Sequence, residues 1–347
     1  MNTLVSSTAL GTSALQLDYL PRAHLAAQPA SWWQKVLGVV EFGSTPGFDR
    51  FRVPVASSMT PALQPTDLCE IWRTDGAAEL LNGEARHSSL RYRFGEDLLF
   101  GCIALDEKSL PERDADALIR ATEIAYQEIF EVLGRTHHPH LIRIWNYLAD
   151  INLHMGGDER YRHFNSARQM AFRKSGRATM GTVPAACALG SPSGSPLSIY
   201  FLAARQAPTM IENPRQTSAY HYPPKFGRHS PIFSRACVWG GAHNQRLFVS
   251  GTASIVGHET LHRGDVAAQT RETMTNIGAL LEEANDLAGS ARYSIDTLKL
   301  KVYVRRRADL AAIQATLAGM LSPGTSVLYL QAEVCREDLL VEIEAVG

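Results

Sequence analysis

One order of elements occurs twice in this chain, and that repeat restricts its fold more than any other feature. In the last hundred residues a strand-like run, LFVSGTASI (247–255), leads into the helical pattern DVAAQTRETMTNIGALL (265–281). A strand LKLKVYV (298–304), a further helical run and the acidic strand LLVEIEAV (339–346) follow. Earlier, DLLFGC (97–102) mirrors 246–252, with Gly101 in the place of Gly251, and ADALIRATEIAYQEIFEVL (115–133) mirrors the helix that starts near Asp265. Ile119, Ala125, Ile129, Val132 and Leu133 recur at helical spacing, as do Val266, Thr270, Met274, Ile277 and Leu281. The expected fold is therefore α+β, with two like units of mixed sheet packed by helices. Punctuation by Gly and Pro sets the boundaries: 1–152 as a first unit with a mobile tail, 153–195 as a connecting helical segment, and 196–347 as a second unit.

Composition narrows the class of function. A 347-residue chain, 45% hydrophobic, can bury one large or two ordinary cores, and its formal charge of −1 offers no global field for nucleic acid. Five scattered cysteines, with no CxxC pair and no histidine at zinc spacing, predict reduced thiols in a cytoplasmic protein. No apolar run approaches the ~20 residues that span a bilayer, and the first residues lack the pattern of a signal peptide. No His/His/carboxylate set or dinucleotide fingerprint is present, so no metal and no cofactor are expected.

Three stretches carry chemistry. Strict alternation in LLVEIEAV puts Glu342 and Glu344 on one face, so that one acid can point into a cleft while the other lies on a solvated strand face. The polar segment 156–177 places Tyr161, Phe164 and Arg168 at helical spacing, with Arg162 able to pair with Asp158 or Glu159 on its own helix. The irregular stretch 211–236 concentrates Arg215, Tyr220, His221, Tyr222, Lys225, Arg228, His229 and Arg235, a set suited to a small, multiply anionic ligand.

These residues also carry a resemblance. The unit GDVAAQTRETMTNIGALL followed by VEIEAV looks like the RidA-like (YjgF) fold, usually a trimer with clefts between subunits. RIWNYLADIN (143–152), RYRHFNSAR (160–168), ENPRQTSAYHYP (212–223), SPIFSRA (230–236) and LFVSGTASIVGHE (247–259) together resemble the chorismatase family. The resemblance implies two fused RidA-like units in a pseudo-oligomeric arrangement, and chorismate as the small-molecule substrate of a monomer or small homo-oligomer. It implies Glu342 as the catalytic acid that protonates the enolpyruvyl methylene, and Arg168, Tyr220 and Arg235, with Arg162 and Tyr222 nearby, as the clamp on the two carboxylates. Cys335, seven residues before Glu342, and Gly251 resemble the branch that releases 3-hydroxybenzoate with pyruvate; 4-hydroxybenzoate is a further product in some relatives. Hydrolysis to a dihydroxycyclohexadiene carboxylate and a non-catalytic RidA-like binding protein stay open beside it. The RidA deaminases carry an arginine about fifteen residues before the terminal-strand glutamate, where this chain has Val327, which departs from that chemistry.

Overall fold

The computed structural model describes residues 14–43, 53–76, 79–85 and 89–347, so the expected N-terminal tail lies outside the described residues. The repeat is complete in both copies. In the second, strand Arg246–Thr252, helix Val266–Ala288, strand Lys299–Val304, helix Leu310–Ala318, strand Val327–Gln331 and strand Val341–Val346 follow one another. Strand Val327–Gln331 runs parallel to Lys299–Val304, and the last strand lies antiparallel to Lys299–Val304 and Arg246–Thr252. The helix Val266–Ala288 starts where the Asp265 side chain accepts from Ala268 N at 2.9 Å and stops at Gly289, whose φ of 61° is the left-handed conformation a helix end favours.

The first copy has the same six elements: Leu98–Leu105, Asp114–Arg135, His140–Ala149, Arg160–Lys174, Ala185–Ser191 and Leu197–Ala204. This corrects two expected boundaries. Helix Arg160–Lys174 is not a connector between units; it is the first unit's second helix, packed beside Asp114–Arg135. Strand Leu197–Ala204, expected in the second unit, lies in the middle of the first unit's sheet, antiparallel to both Leu98–Leu105 and His140–Ala149. It is buried along its whole length, and a strand covered on both faces has no alternation to show which sheet it joins.

A third sheet, built from Leu15–Pro21, Leu68–Thr74, Val36–Phe42 and Val55–Ser58, comes from the N-terminal part. Strand Ala62–Gln64 leaves it to pair with Val327–Gln331 of the second unit. The inner faces of the three sheets share one core, in which Trp72, Trp145, Tyr200, Phe248 and Tyr303 meet, and the long helices cover the outer faces of the two repeat sheets. Trp145 stacks on Tyr200 at 4.4 Å, and Trp72 stacks on Phe248 at 6.0 Å. The units thus surround a common centre, as a pseudo-oligomer does.

Charge is buried at that centre. Lys301 Nζ lies 2.5 Å from Glu70 and 2.8 Å from Glu344, while Arg143 Nη2 reaches Glu344 at 2.5 Å and Trp145 Nε1 donates to it at 2.7 Å. Glu70 belongs to the N-terminal sheet, Arg143 and Trp145 to the first unit, and Lys301 and Glu344 to the second, so one network fixes all three sheets. Glu344 is therefore no solvated face: it is 4% exposed. Among the described residues, no helix is long and apolar enough to cross a membrane.

Candidate active site

Between the two repeat units lies a cavity of about 490 Å³, a size suited to a small organic ligand. The first unit contributes helix Arg160–Lys174 and strand Ala185–Ser191; the second contributes Gly251, Glu342 and the loop from Cys335 to Leu339. The segment before strand Ala236–Trp239 adds Tyr222, Lys225, Phe226, Phe233 and Arg235.

Glu342 is 4% exposed, and among the described residues none donates a hydrogen bond to its carboxyl. Burial, reinforced by the negative charge of Glu344, raises its pKa to about 8; Arg143, Arg305 and Arg235 work in the other direction. Glu344, two residues on, shows the opposite result. Burial opposes its ionisation, yet Lys301, Arg143 and the hydrogen bonds it accepts hold its pKa below the ordinary value. One strand therefore presents a carboxylate locked in an ion network and, next to it, a carboxyl that stays protonated at neutral pH.

Space for that carboxyl depends on Gly251. A register shift between Val249 and Thr252, where their strand pairs with Val341–Val346, turns this position toward the acid. A Cβ there would overlap Glu342 Oε1 and lie 3.1 Å from Cys187 Cβ. Gly101, its sequence counterpart, does a different job: its missing side chain leaves room for the Phe201 ring on the helix side of the first sheet.

The cations face the same space. Arg168, 3% exposed, donates Nε to Tyr126 Oη at 2.7 Å and Nη1 to the Ile232 carbonyl, and its Nη2 is buried without a partner. Tyr126 Oη lies 2.6 Å from Asn146 Oδ1, so the guanidinium is held from behind. Arg235, also 3% exposed, gives Nη2 to the Thr217 carbonyl at 2.7 Å and to Tyr222 Oη at 2.8 Å, while its buried Nε has no partner. Tyr222 thus lines the cavity as a support for Arg235. Arg162 lies at the rim, paired with Asp158 at 3.1 Å and Glu159 at 3.5 Å.

Tyr220 is the expected residue that the fold takes elsewhere. It does not line the cavity but packs against the first unit's helix-side core, its ring 4.7 Å from that of His221. The short 3-10 turn Ala219–His221 explains the split, because it sends Tyr220 and Tyr222 in different directions. Among the lining residues that the sequence did not single out for the site are Asn165 and Arg336. Asn165 precedes Arg168 by three positions and so shares its helical face, as Tyr161 does seven positions before it, a usable signal. Arg336 has none: it sits in a loop, 4.1 Å over the Phe226 ring, with Nη1 on the His258 carbonyl at 2.9 Å and Nη2 buried without a partner.

Cys335 lines the cavity as a neutral thiol, its pKa pushed up to about 12 by burial and by Glu342. All five cysteines are free. Among the described residues no group of three or more His, Cys, Asp or Glu side chains is placed to hold a metal.

Comparison with known proteins decides the family. A family model described as chorismatase FkbO/Hyg5-like, N-terminal, matches residues 70–203, and one described as endoribonuclease L-PSP matches residues 232–347. A 3-hydroxybenzoate synthase of Streptomyces hygroscopicus is 36% identical over 327 residues, covering 90% of this chain and 92% of that protein. This chain belongs to the chorismatase family. Within that family, a chorismatase of Streptomyces rapamycinicus is 35% identical over 345 residues, covering 96% of this chain and 99% of the other. The crystal structure of a chorismatase superposes with a TM-score of 0.84 at 31% identity, over 96% of this chain and 99% of that one. In this chorismatase-family chain the first match ends at residue 203, within strand Leu197–Ala204, in agreement with the first unit's sheet. Val327, where the RidA deaminases carry arginine, pairs with Leu300 and does not line the cavity.

Proposed function

We propose that this protein is a chorismatase that converts chorismate to 3-hydroxybenzoate and pyruvate. The observation that carries the reading is the polarity of one cavity: a protonated carboxyl, Glu342, faces three buried N–H donors without partners, on Arg168, Arg235 and Arg336. Unpaired buried donors are costly, and a ligand with two carboxylates satisfies them. Arginine forks suit such groups better than lysines do.

The chemistry follows from the acid. Chorismate holds an enolpyruvyl ether, and adding a proton to its methylene carbon produces an oxocarbenium. Glu342 gives that proton, and a pKa near the working pH suits both its loss and its recovery. Water adds to the oxocarbenium and returns a proton to Glu342. The resulting hemiketal breaks its bond to the ring oxygen, releasing pyruvate and a dihydroxycyclohexadiene carboxylate. Loss of the neighbouring ring hydroxyl as water then gives the aromatic acid. One water enters and one leaves, so hydroxybenzoate and pyruvate account for every atom of chorismate.

Cys335 and Gly251 support the aromatic outcome. Cys335 is a neutral thiol beside the acid, able to donate S–H to the departing hydroxyl, and its high pKa argues against a thiolate nucleophile. Gly251 lets the Glu342 carboxyl occupy the floor of the cavity. Direct elimination of pyruvate would instead leave 4-hydroxybenzoate. We place the protein in the cytoplasm, acting without nucleic acid as a monomer or small homo-oligomer, a reading supported by the free cysteines and by a cleft formed within one chain. The test is incubation with chorismate, with pyruvate and ring acids separated by chromatography and Glu342→Gln alongside. Pyruvate release that Glu342→Gln does not diminish would overturn the role of the acid, and no pyruvate would overturn the function.

A further inference from the structure

The cavity wall that carries Cys335 and Arg336 is a loop, joining strands Val327–Gln331 and Val341–Val346. Backbone carbonyls in such a stretch need partners from elsewhere. One side chain supplies three. Arg305 donates Nε to the Leu339 carbonyl at 2.6 Å, and Nη2 to the carbonyls of Val334 and Arg336, each at 2.7 Å. Its backbone N–H donates to Leu340 O at 3.0 Å. Two of the contacted carbonyls flank Cys335, so the guanidinium fixes the backbone on either side of the thiol.

The fifth bond leaves the second unit. Arg305 Nη1 donates to Asn152 Oδ1 at 3.0 Å, Asn152 Nδ2 donates to Glu159 Oε1 at 3.1 Å, and Glu159 Oε2 lies 3.5 Å from Arg162. Arg162 and Glu159 belong to the opposite wall. Arg305 itself does not line the cavity.

We infer that Arg305 is a positioning residue that holds the Cys335–Leu339 wall against the first unit and thereby sets the ratio of dehydrated to merely hydrolysed product. The second half rests on the chorismatase reading above. The physical basis is geometric: a guanidinium reaches three carbonyls and an amide oxygen at once, whereas an ammonium is a single donor centre. With lysine at 305, some of those carbonyls turn to water, the thiol loses its fixed distance from Glu342, and the hydrolysed diol escapes before it dehydrates.

Two full-length variants test this, Arg305→Lys and Asn152→Ala, the latter removing only the link between walls. Each is checked for folding by thermal melting, incubated with chorismate and analysed for ring products; alkylation of Cys335 by iodoacetamide is followed by peptide mass. We expect Arg305→Lys to keep releasing pyruvate while its fraction of dihydroxycyclohexadiene carboxylate rises several-fold and Cys335 is alkylated at least five times faster. Asn152→Ala should shift both readings in the same direction by less. A folded Arg305→Lys with the wild-type product ratio and alkylation rate overturns the inference. If that variant does not fold, wild-type values in Asn152→Ala overturn it. A wild-type protein that releases no pyruvate overturns the function and the product-ratio half together, while the alkylation rates still decide whether Arg305 holds the wall.

Discussion

Gly251 lies directly against the Glu342 carboxyl: a Cβ at this glycine would sit 2.8 Å from Glu342 Cδ. The acid keeps its place in the cavity because the residue facing it has no side chain. Gly251→Ala should therefore push the carboxyl aside. A small misplacement of a reacting group can cost about 10²-fold, so we expect kcat to fall by that order, with KM less affected and the remaining product enriched in the dihydroxycyclohexadiene carboxylate. Steady-state kinetics with product chromatography measures both. Unchanged kcat and products would mean that the cavity floor gives way without moving Glu342.

The raised pKa of Glu342 makes a two-part prediction about pH. Because the acid must carry a proton, kcat/KM should be level through neutral pH and fall tenfold per unit above about pH 8. Stability should follow from the same shift. A carboxyl whose pKa rises from 4.5 to about 8 on folding binds more protons in the native state, so its contribution is fully present below pH 4.5 and is lost as pH rises to 8. The loss is on the order of a few kcal/mol. Urea unfolding at pH 5, 7 and 9 should show this decline in the wild type and a flatter profile in Glu342→Gln.

Glu344→Gln should behave in the opposite way. It leaves Lys301 and Arg143 short of a counter-charge in the common core, and breaking a buried pair costs about 3–5 kcal/mol. If the variant folds, the alkaline limb of its rate profile should move to lower pH, because the charge of Glu344 helps to raise Glu342. A limb that stays in place would show that burial alone sets the acid.

Replacing the clamp should separate cations that are held ready from those already paired. Arg235→Lys loses the fork that spans Tyr222 and the Thr217 carbonyl, and a lost hydrogen bond to a charged group is worth about 2 kcal/mol, roughly 30-fold in KM. Arg162→Ala, whose partners Asp158 and Glu159 sit at a half-exposed rim, should change KM by no more than about threefold. Equal effects would mean that Arg162 turns from its partners to the substrate.

Cys335 gives the last prediction. With its pKa near 12, the wild-type thiol should react slowly with iodoacetamide at pH 8, and Cys335→Ala should retain pyruvate release while shifting the ring product toward the diol. Rapid alkylation at neutral pH would contradict the neutral-thiol role.

Much of this was legible in the residues. The 3.6-residue periodicity of 115–133 and 266–281 and the alternation of LLVEIEAV determined the two like units and put Glu342 and Glu344 on one face, because local spacing alone decides which side chains share a face. The basic, aromatic stretch 211–236 and the RYRHFNSAR helix likewise marked Arg235 and Arg168, whose type and density are chemical facts of the chain. Tertiary structure decided the rest. Leu197–Ala204 joined the first sheet rather than the second, since a strand buried on both faces takes its partners from long-range pairing. Tyr220 and Tyr222, two residues apart in a short turn, parted company, and loop residue Arg336 entered the cavity through contacts with Phe226 and His258. Above all, alternation alone could not tell Glu342 from Glu344, which share a strand face; the family resemblance singled out Glu342, and only the cations and the Trp145 N–H brought to Glu344 from distant segments make one a fixed carboxylate and leave the other an acid.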